Sequence, residues 1–323
     1  MKKLNLLLFG FLFAILFVNT SCEKDETTKV NEAEVLATYL ETTDYVNTYM
    51  PSIISATDVN SGNLVGSVYI IDIRAAADFA NGHIANAVNV TFGDLLNHME
   101  STDLSNYEKV AIVCYSGQTA AYGASLLRLA GYDKVFSMAF GMSSWHADFA
   151  GSWNNNIGNA QGALFVTDEA PKGAAGELPE LATGKSTGEE ILAARVATLF
   201  TEGFDPAKTT NATVFGALES NYIVNYWPAN HYALGHIPGA IQYTPKESMK
   251  LAADLKTLPT DKPVVVYCYT GQTSAYLAAY LRLLGYDAKS LLFGTNGMWY
   301  NNMVENSMTV FNEAKIMGYD YVQ

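Results

Sequence analysis

Two stretches of this chain, Lys109-Val-Ala-Ile-Val-Cys-Tyr-Ser-Gly-Gln-Thr119 and Pro263-Val-Val-Val-Tyr-Cys-Tyr-Thr-Gly-Gln-Thr273, carry nearly the same pattern. Each begins with a continuous apolar run rich in β-branched residues, which is typical of a buried parallel strand. Each continues into an Ala/Leu-rich stretch that predicts a helix. The two cysteines, Cys114 and Cys268, stand where strand gives way to helix and lie 154 positions apart. The pattern predicts a duplicated unit built around this loop.

Matching segments extend the duplication on both sides of the loops. Residues 31–37 and 187–193 both offer a polar cap and early acids before apolar residues at helical spacing, which indicates a helix start. The predicted strands are 68–73, 109–114 and 135–138 in the first copy and 222–226, 263–268 and 291–293 in the second; the predicted helices after the loops are 120–130 and 274–284. Strands alternating with helices predict an α/β fold of two tandem domains, each a parallel sheet with helices on both faces.

Composition sets the expected boundaries. They are 1–21 for a signal peptide, 22–30 for a tether, 31–150 for the first domain, 151–186 for a connection, 187–304 for the second domain and 305–323 for a C-terminal tail. The connection is rich in Asn, Gly, Ala and Pro, without helical spacing. A structureless loop of that length is uncommon, so we expect part of the connection to pack along the domain interface. The tail leaves room for one more helix.

The N-terminus indicates export. Lys2 and Lys3 precede an apolar stretch, 4–18, that is too short to span a bilayer comfortably. With Ser21-Cys22 following, the segment resembles a bacterial lipoprotein signal, which implies lipidation of Cys22 and anchoring to the bacterial envelope, on the periplasmic face or the cell surface. The alternative is ordinary signal cleavage with an incidental Cys22.

Charge and metal-ligand spacing exclude several classes of protein. The formal net charge is −13, and loss of Lys2 and Lys3 with the signal peptide makes it −15. This balance disfavours nucleic-acid binding, since no basic patch is available to neutralise phosphates. The five histidines are scattered without metal-ligand spacing, so we expect no metal and no cofactor. The oligomeric state stays open.

The repeated loop is suited to cysteine chemistry. Gly117 and Gly271 let the backbone curl so that successive N–H groups, and the N-terminus of the following helix, face the sulfur. Such a setting is expected to lower the pKa of a thiol and to favour the nucleophilic thiolate. The alternative for each cysteine is an inert residue that ends a buried strand. A Cys114–Cys268 disulfide is disfavoured, because the cysteines hold equivalent places in separate repeats and a bridge needs Cα atoms within about 7 Å.

Further residues around the two loops recur in a fixed order: Asp72-Ile-Arg74, Asp78-Phe79, Gly82-His83-Ile84, Ala87, Asn89, Cys114–Thr119, Gly131-Tyr132, Gly141 and Trp145, then Gly235–Ala240, Cys268–Thr273, Gly285-Tyr286, Gly294 and Trp299. In these residues the chain resembles a family, the rhodanese-like sulfurtransferases, across two tandem domains. The resemblance implies that Cys114 and Cys268 are catalytic and accept a sulfane sulfur as a persulfide. It implies a substrate- and persulfide-binding loop of Tyr115, Ser116, Gly117, Gln118 and Thr119, repeated as Tyr269, Thr270, Gly271, Gln272 and Thr273. It also implies that Asp72 and Arg74 form a structural brace beside the first loop.

Departures from the family pattern narrow this expectation. Basic residues that follow the cysteine in thiosulfate-using tandem members are replaced by Tyr115-Ser116 and Tyr269-Thr270. The pattern of Ser116 and Thr119 is closer to mercaptopyruvate-type loops. Asn225 and Trp227 stand where the first domain has its brace, so Cys114 is the safer candidate nucleophile. Tandem members typically keep the cysteine in the second half alone. The two cysteines here therefore suggest sulfur relay or two independent sites.

The sequence thus predicts a sulfurtransferase that moves sulfane sulfur from a small donor, of thiosulfate or 3-mercaptopyruvate type, to a thiol or cyanide acceptor. The alternative is a non-catalytic module of the same fold that senses or carries persulfide or binds a partner. A phosphatase on the related scaffold is excluded, because its loop needs a closing arginine where this chain has Ala120 and Ser274.

Overall fold

Two parallel sheets with the same strand order carry the fold, in a computed structural model that describes residues 31–48 and 50–323. The strands are β1 (Ile53–Ile54), β2 (Val68–Asp72), β3 (Val88–Asn89), β4 (Lys109–Val113) and β5 (Val135–Met138), then β6 (Lys208–Thr209), β7 (Tyr222–Asn225), β8 (Ile241–Gln242), β9 (Val264–Tyr267) and β10 (Ala288–Leu291). The sheet orders are β1-β5-β4-β2-β3 and β6-β10-β9-β7-β8, with all neighbours parallel. The predicted α/β class and the duplication are confirmed.

Helices cover both sheets. They are α1 (Glu32–Thr42), α2 (Tyr45–Thr48), α3 (Ala56–Leu64), α4 (Ala76–Asn81), α5 (Leu95–Ser101), α6 (Gln118–Leu129), α7 (Met142–Trp145), α8 (Gly151–Asn154), α9 (Gly188–Glu202), α10 (Asn211–Phe215), α11 (Ala229–Tyr232), α12 (Gln272–Leu283) and α13 (Tyr300–Glu305). The helices α6 and α12 begin two residues before the predicted 120 and 274. Each follows a glycine in the left-handed conformation, with φ of 85° at Gly117 and 80° at Gly271, and this conformation sets the helix start.

The central strands alternate between two covered faces. In β4, Val110 and Ile112 join the core around α6, whereas Ala111 and Val113 join the core beneath α3. The strand β10 begins three residues before the predicted 291, because its start is set by pairing with β9. The core around α6 continues without a break into the one around α12, so the two halves share a hydrophobic interior.

The connection crosses from the first half onto the second. The Trp153 side chain is buried among Phe140, Phe293 and Phe311 at the boundary between the halves. Further along, Phe165 stacks on Trp299 with ring centroids 4.7 Å apart, and Val166 pairs with His236. The expectation that part of the connection packs along the interface is confirmed.

The tail returns from the second half onto the first in the matching way. Tyr319 packs on Trp145 with ring centroids 5.0 Å apart, and Val322 pairs with His83. Within the described residues after α13 the tail has a 3-10 turn at Glu313–Lys315, and the further α-helix that we expected is not found there. Backbone N–H groups of the tail donate to carbonyls of α7, and these bonds hold the tail in an extended conformation.

No helix within 31–48 and 50–323 has the length and apolar character needed to cross a membrane. The predicted signal peptide (1–21), the lipidation residue Cys22 and the tether (22–30) lie outside the described residues. The predicted domain boundaries stay predictions.

Candidate active site

The two cysteines lie at the carboxyl ends of the central strands β4 and β9, where the chain turns into α6 and α12. The Sγ atom of Cys114 accepts hydrogen bonds from the backbone N–H groups of Gly117, at 3.2 Å, and Ala120, at 3.4 Å. Both cysteines are buried thiols without a disulfide, as predicted. The loop backbone and the first turn of the helix therefore surround the sulfur with donors.

The expected lowering of the thiol pKa is wrong for Cys114. Burial raises the pKa of the Cys114 thiol, because desolvation disfavours the charged thiolate. Hydrogen bonds from the backbone of Ala120, Ser116 and Gly117 oppose this rise, while the negative charge of Asp72 adds to it. The donors are placed as the loop pattern predicts, but the loss of water around the sulfur outweighs them.

The second cysteine has a partner that the first lacks. The Sγ atom of Cys268 lies 3.3 Å from the backbone N of Ser274 and 3.6 Å from its hydroxyl oxygen. That hydroxyl lies 2.8 Å from the hydroxyl of Ser290, which donates to the carbonyl of Gly271 at 3.2 Å. The first loop has Ala120 at the position of Ser274. Sequence reasoning treated Ser274 as a helix start, and the Ala/Ser difference at this position was the available signal.

The hydroxyl groups of Ser116 and Thr270 form hydrogen bonds within their own loop and helix start. The hydroxyl of Ser116 accepts a hydrogen bond from the Gln118 side chain at 3.0 Å, and that of Thr270 accepts one from the backbone of Gln272 at 3.4 Å. Gln118 and Thr119 lie in the first turn of α6, and Gln272 and Thr273 in that of α12, rather than in the loop.

The two glutamines reach the opposite half of the molecule. The Gln118 Oε1 atom accepts from the N–H of Phe293 at 2.6 Å, and Gln272 Oε1 accepts from the N–H of Phe140 at 2.9 Å. Both side chains are buried. Each carboxamide oxygen therefore binds backbone of the opposite half. The predicted place of both glutamines in the substrate-binding loop stays a prediction.

A tyrosine follows each cysteine and is tied to a different partner in each half. The Tyr115 hydroxyl donates to the Asp78 carboxylate, whereas the Tyr269 hydroxyl is hydrogen-bonded to Nδ1 of His231. Burial first, and the negative charge of Cys268 second, raise the pKa of Tyr269 to about 12. The first loop thus has an acidic neighbour where the second has an imidazole.

The brace exists in the first half and is replaced in the second. Arg74 forms a buried bidentate ion pair with Asp72, at 3.0 and 2.7 Å, and also donates to the carbonyl of Gly82 at 2.7 Å. In the second half, Asn225 donates to the hydroxyl of Tyr267 at 2.8 Å, and the Trp227 ring stacks on Tyr269 at 5.1 Å. An aromatic stack thus stands in for the ion pair.

Within the described residues, neither a metal cluster nor the cavity at the far end of α6 coincides with the cysteines. Within 31–48 and 50–323, no group of three or more His, Cys, Asp or Glu side chains is placed to hold a metal ion. A cavity of about 480 Å³ lies at the C-terminal end of α6, lined among others by Tyr39, Arg128 and Leu192. Cys114 lies at the opposite end of that helix, so the cavity is separate from the loop.

Comparison with known proteins shows the family. The model of the rhodanese-like domain matches residues 56–148 and again residues 217–299. The thiosulfate sulfurtransferase GlpE of Shewanella oneidensis is 36% identical over 80 residues, which cover 25% of this chain and 77% of that protein.

Two solved structures are similar at lower sequence identity. The SseA protein of Escherichia coli, described among the 3-mercaptopyruvate sulfotransferases, is 19% identical, with 77% of this chain and 99% of that chain covered and a TM-score of 0.28. A thiosulfate sulfurtransferase of Pseudomonas aeruginosa is 15% identical, with 83% and 47% covered and a TM-score of 0.30. The family assignment rests on the sequence matches, since these TM-scores are low. The chain belongs to the rhodanese-like domain family and contains two copies of that domain in tandem.

Proposed function

We propose that the protein is a sulfurtransferase in which Cys114 and Cys268 carry sulfur as persulfides. One observation carries the proposal: each sulfur lies at the end of a central strand, in contact with N–H groups of the loop or the first helical turn. The same donors can stabilise the thiolate before transfer and the terminal persulfide sulfur after it. The matches to the rhodanese-like family support this chemistry.

The proposed reaction has two displacements at sulfur. The cysteine thiolate attacks the sulfane sulfur of the donor; an S–S bond forms on the enzyme, and the donor's bond to that sulfur breaks. With thiosulfate the leaving group is sulfite, and with 3-mercaptopyruvate it is the pyruvate enolate, which takes up a proton. A thiolate or cyanide then attacks the outer persulfide sulfur, and the cysteine leaves as thiolate.

The charges around the loops favour a donor of low charge. Neither loop has a cationic side chain between the cysteine and the helix, and the buried guanidinium of Arg74 is paired with Asp72. The Asp78 carboxylate lies beside the first loop through its bond to Tyr115. Bringing the thiosulfate dianion into such a site is costly. We therefore propose that 3-mercaptopyruvate is a better donor than thiosulfate, most clearly at Cys114.

We propose further that Cys268 is the more reactive cysteine, although the sequence favoured Cys114. Burial raises the pKa of Cys114, and Ala120 has no hydroxyl that could offset this rise. Cys268 has the hydroxyl of Ser274 within 3.6 Å. The Cys268 thiol donates to that hydroxyl; once the thiol has lost its proton, the hydroxyl can turn to the sulfur and donate to the thiolate.

Intact mass tests the proposal. The protein and its Cys114→Ser, Cys268→Ser and double variants are incubated with either donor and then with a thiol. The wild type is expected to gain about 32 Da for each loaded sulfur and to lose it to the thiol, while the double variant gains none. Absence of any adduct in the wild type with either donor, together with no turnover of thiol or cyanide, contradicts the proposal.

A non-catalytic persulfide carrier is the second candidate, favoured by the burial of both cysteines, which are 3% and 2% exposed. A carrier would load sulfur from a donor and keep it in the presence of small thiols or cyanide. Repeated turnover of donor per protein molecule distinguishes the enzyme from the carrier.

A further inference from the structure

The side chain of Gln272 belongs to the second half but is bound to the loop of Cys114. Its Oε1 accepts from the N–H of Phe140, and its Nε2 lies 3.4 Å from the carbonyls of Gly117 and of Met138. A Cβ atom on Gly117 would lie 2.5 Å from that Nε2, so the carboxamide packs directly against the glycine. Gly117 is the residue whose N–H donates to the sulfur.

The Gln118 side chain makes part of the mirror contact, while its Nε2 donates to the Ser116 hydroxyl of its own loop at 3.0 Å. Its Oε1 accepts from the N–H of Phe293 at 2.6 Å, and a Cβ atom on Gly271 would lie 2.2 Å from it. Gln118 and Gln272 are 1% and 2% exposed, so neither carboxamide has water as an alternative partner. Each glutamine therefore packs against the glycine at the helix start of the other domain.

The turns that hold the glutamines also hold the loops. After β5, the N–H of Met142 donates to the carbonyl of Cys114 at 2.9 Å. After β10, the N–H of Thr295 donates to the carbonyl of Cys268 at 3.0 Å. In the first half, the Gln272 side chain thus connects the turn at Phe140 to the loop at Gly117. This clamp limits how far the loop N–H groups can move away from the sulfur.

We propose that Gln118 and Gln272 are positioning residues that act across the domain interface: Gln272 orders the loop of Cys114, and Gln118 orders the loop of Cys268. The inference rests on the proposed function in that the ordered loops are the ones proposed to carry sulfur. Neither residue touches the reacting sulfur. Each acts by keeping backbone donors aimed at the cysteine of the opposite domain.

The test compares Gln272→Met and Gln118→Met, which keep side-chain length but remove both polar atoms. Alkylation by iodoacetamide is followed at each cysteine by peptide mass spectrometry as a function of pH. The midpoint of such a profile reports thiolate formation, whereas the plateau reports access to the sulfur. For Gln272→Met we expect the midpoint at Cys114 to rise by about one pH unit, a tenfold smaller thiolate population, with little change at Cys268. Gln118→Met is expected to raise the midpoint at Cys268 more than that at Cys114, whose own loop loses the bond from Gln118 to Ser116.

Two further sets of variants complete the test. Gln272→Asn and Gln118→Asn shorten the side chain and keep its amide group, and they are expected to show the same crossed pattern. They replace the methionine variants if those fail to fold. Ser125→Ala removes a different interface contact, the bond from Ser125 to the carbonyl of Tyr276 at 3.0 Å, and should leave both midpoints in place.

The outcomes separate this inference from the proposed function. A midpoint shift confined to the cysteine of the substituted domain, equal shifts at both cysteines, or no shift at either overturns the crossed assignment. Alkylation does not require sulfur transfer. A crossed shift in a protein that never loads sulfur therefore supports the positioning roles and contradicts the sulfurtransferase, while sulfur loading with uncrossed shifts does the opposite.

Discussion

Replacing Ser274 by alanine is expected to slow the reaction of Cys268 at neutral pH and to leave Cys114 unchanged. The substitution removes the hydroxyl that lies 3.6 Å from the Cys268 sulfur and keeps the backbone N–H at 3.3 Å. It also removes the partner of the Ser290 hydroxyl, which keeps its bond to the carbonyl of Gly271. The change therefore removes the side-chain partner of the Cys268 sulfur, which accepts from the thiol and can donate to the thiolate once the thiol is ionised.

The magnitude follows from the strength of that bond. A hydrogen bond to a charged group contributes about 1.5–3 kcal/mol, and the long contact places this one at the lower end, about 1.5 kcal/mol. That is about a tenfold loss of thiolate at neutral pH. The thiolate that remains is more nucleophilic, because nucleophilicity follows basicity with a coefficient of about 0.4–0.5. This higher nucleophilicity offsets about half of the effect of the lost thiolate on a logarithmic scale, so the reaction is expected to be about threefold slower.

Site-resolved alkylation measures this effect. Iodoacetamide rates at Cys268 and Cys114 are read from their separate peptides between about pH 6 and pH 10, with Cys114 as the internal standard. Ala120→Ser is the reciprocal variant, since it places a hydroxyl at the equivalent position of the first loop, and it should speed Cys114 by a similar factor.

The pH dependence decides whether the reasoning holds. If the hydroxyl stabilises the thiolate, the alanine variant is slower at neutral pH and equal or faster at high pH, where the thiol is fully ionised. An unchanged rate at Cys268 at neutral pH would refute the hydrogen bond. A fall by the same factor at every pH would show that the substitution changed access instead.

Three other predictions concern separate parts of the chain. Asp72→Asn leaves the buried guanidinium of Arg74 without its carboxylate and should lower the free energy of unfolding by about 3–5 kcal/mol in urea titrations. The control Asp205→Asn breaks the pair with Lys208, in which the carboxylate is 87% exposed, and should lower that free energy by less than about 1 kcal/mol. Equal losses in the two variants would contradict the role of burial. Because burial raises the pKa of Cys114, sulfur loading at this cysteine should rise about tenfold per pH unit from pH 7 to about pH 9, and a plateau at neutral pH would show that the thiolate already predominates there. Cys22→Ser should abolish incorporation of labelled palmitate into the protein in a bacterial host, whereas labelling that persists would place the lipid elsewhere.

Much of the loop was predictable because its cause is local. The apolar runs before Cys114 and Cys268, the glycine three residues later and the Ala/Leu-rich stretch after it predict strand, turn and helix without reference to the rest of the chain. The helix starts were two residues off. A left-handed glycine begins the helix at the next residue, and periodicity does not mark that boundary.

The charge state of the sulfur was not predictable in the same way. The loop pattern indicates donors, and the structure has them at 3.2 and 3.4 Å from Cys114. The pattern contains no measure of how much water the surrounding helices exclude. Desolvation, which depends on every neighbour at once, raises the pKa of Cys114 in spite of those donors.

The amino-acid sequence by itself determined the duplication, the α/β class, the family and the two cysteines, since each depends on residues close together along the chain or on a repeated order. The tertiary structure alone decided where Gln118 and Gln272 bind, that Ser274 touches the sulfur of Cys268, and that Trp227 stacks where a brace was lost. These contacts join residues in different halves or on facing elements. The partners of the two glutamines are set by how two domains share one core, which no single repeat specifies. The contacts of Ser274 and Trp227 lie within the second half and depend on how its strand ends and the start of α12 meet in space.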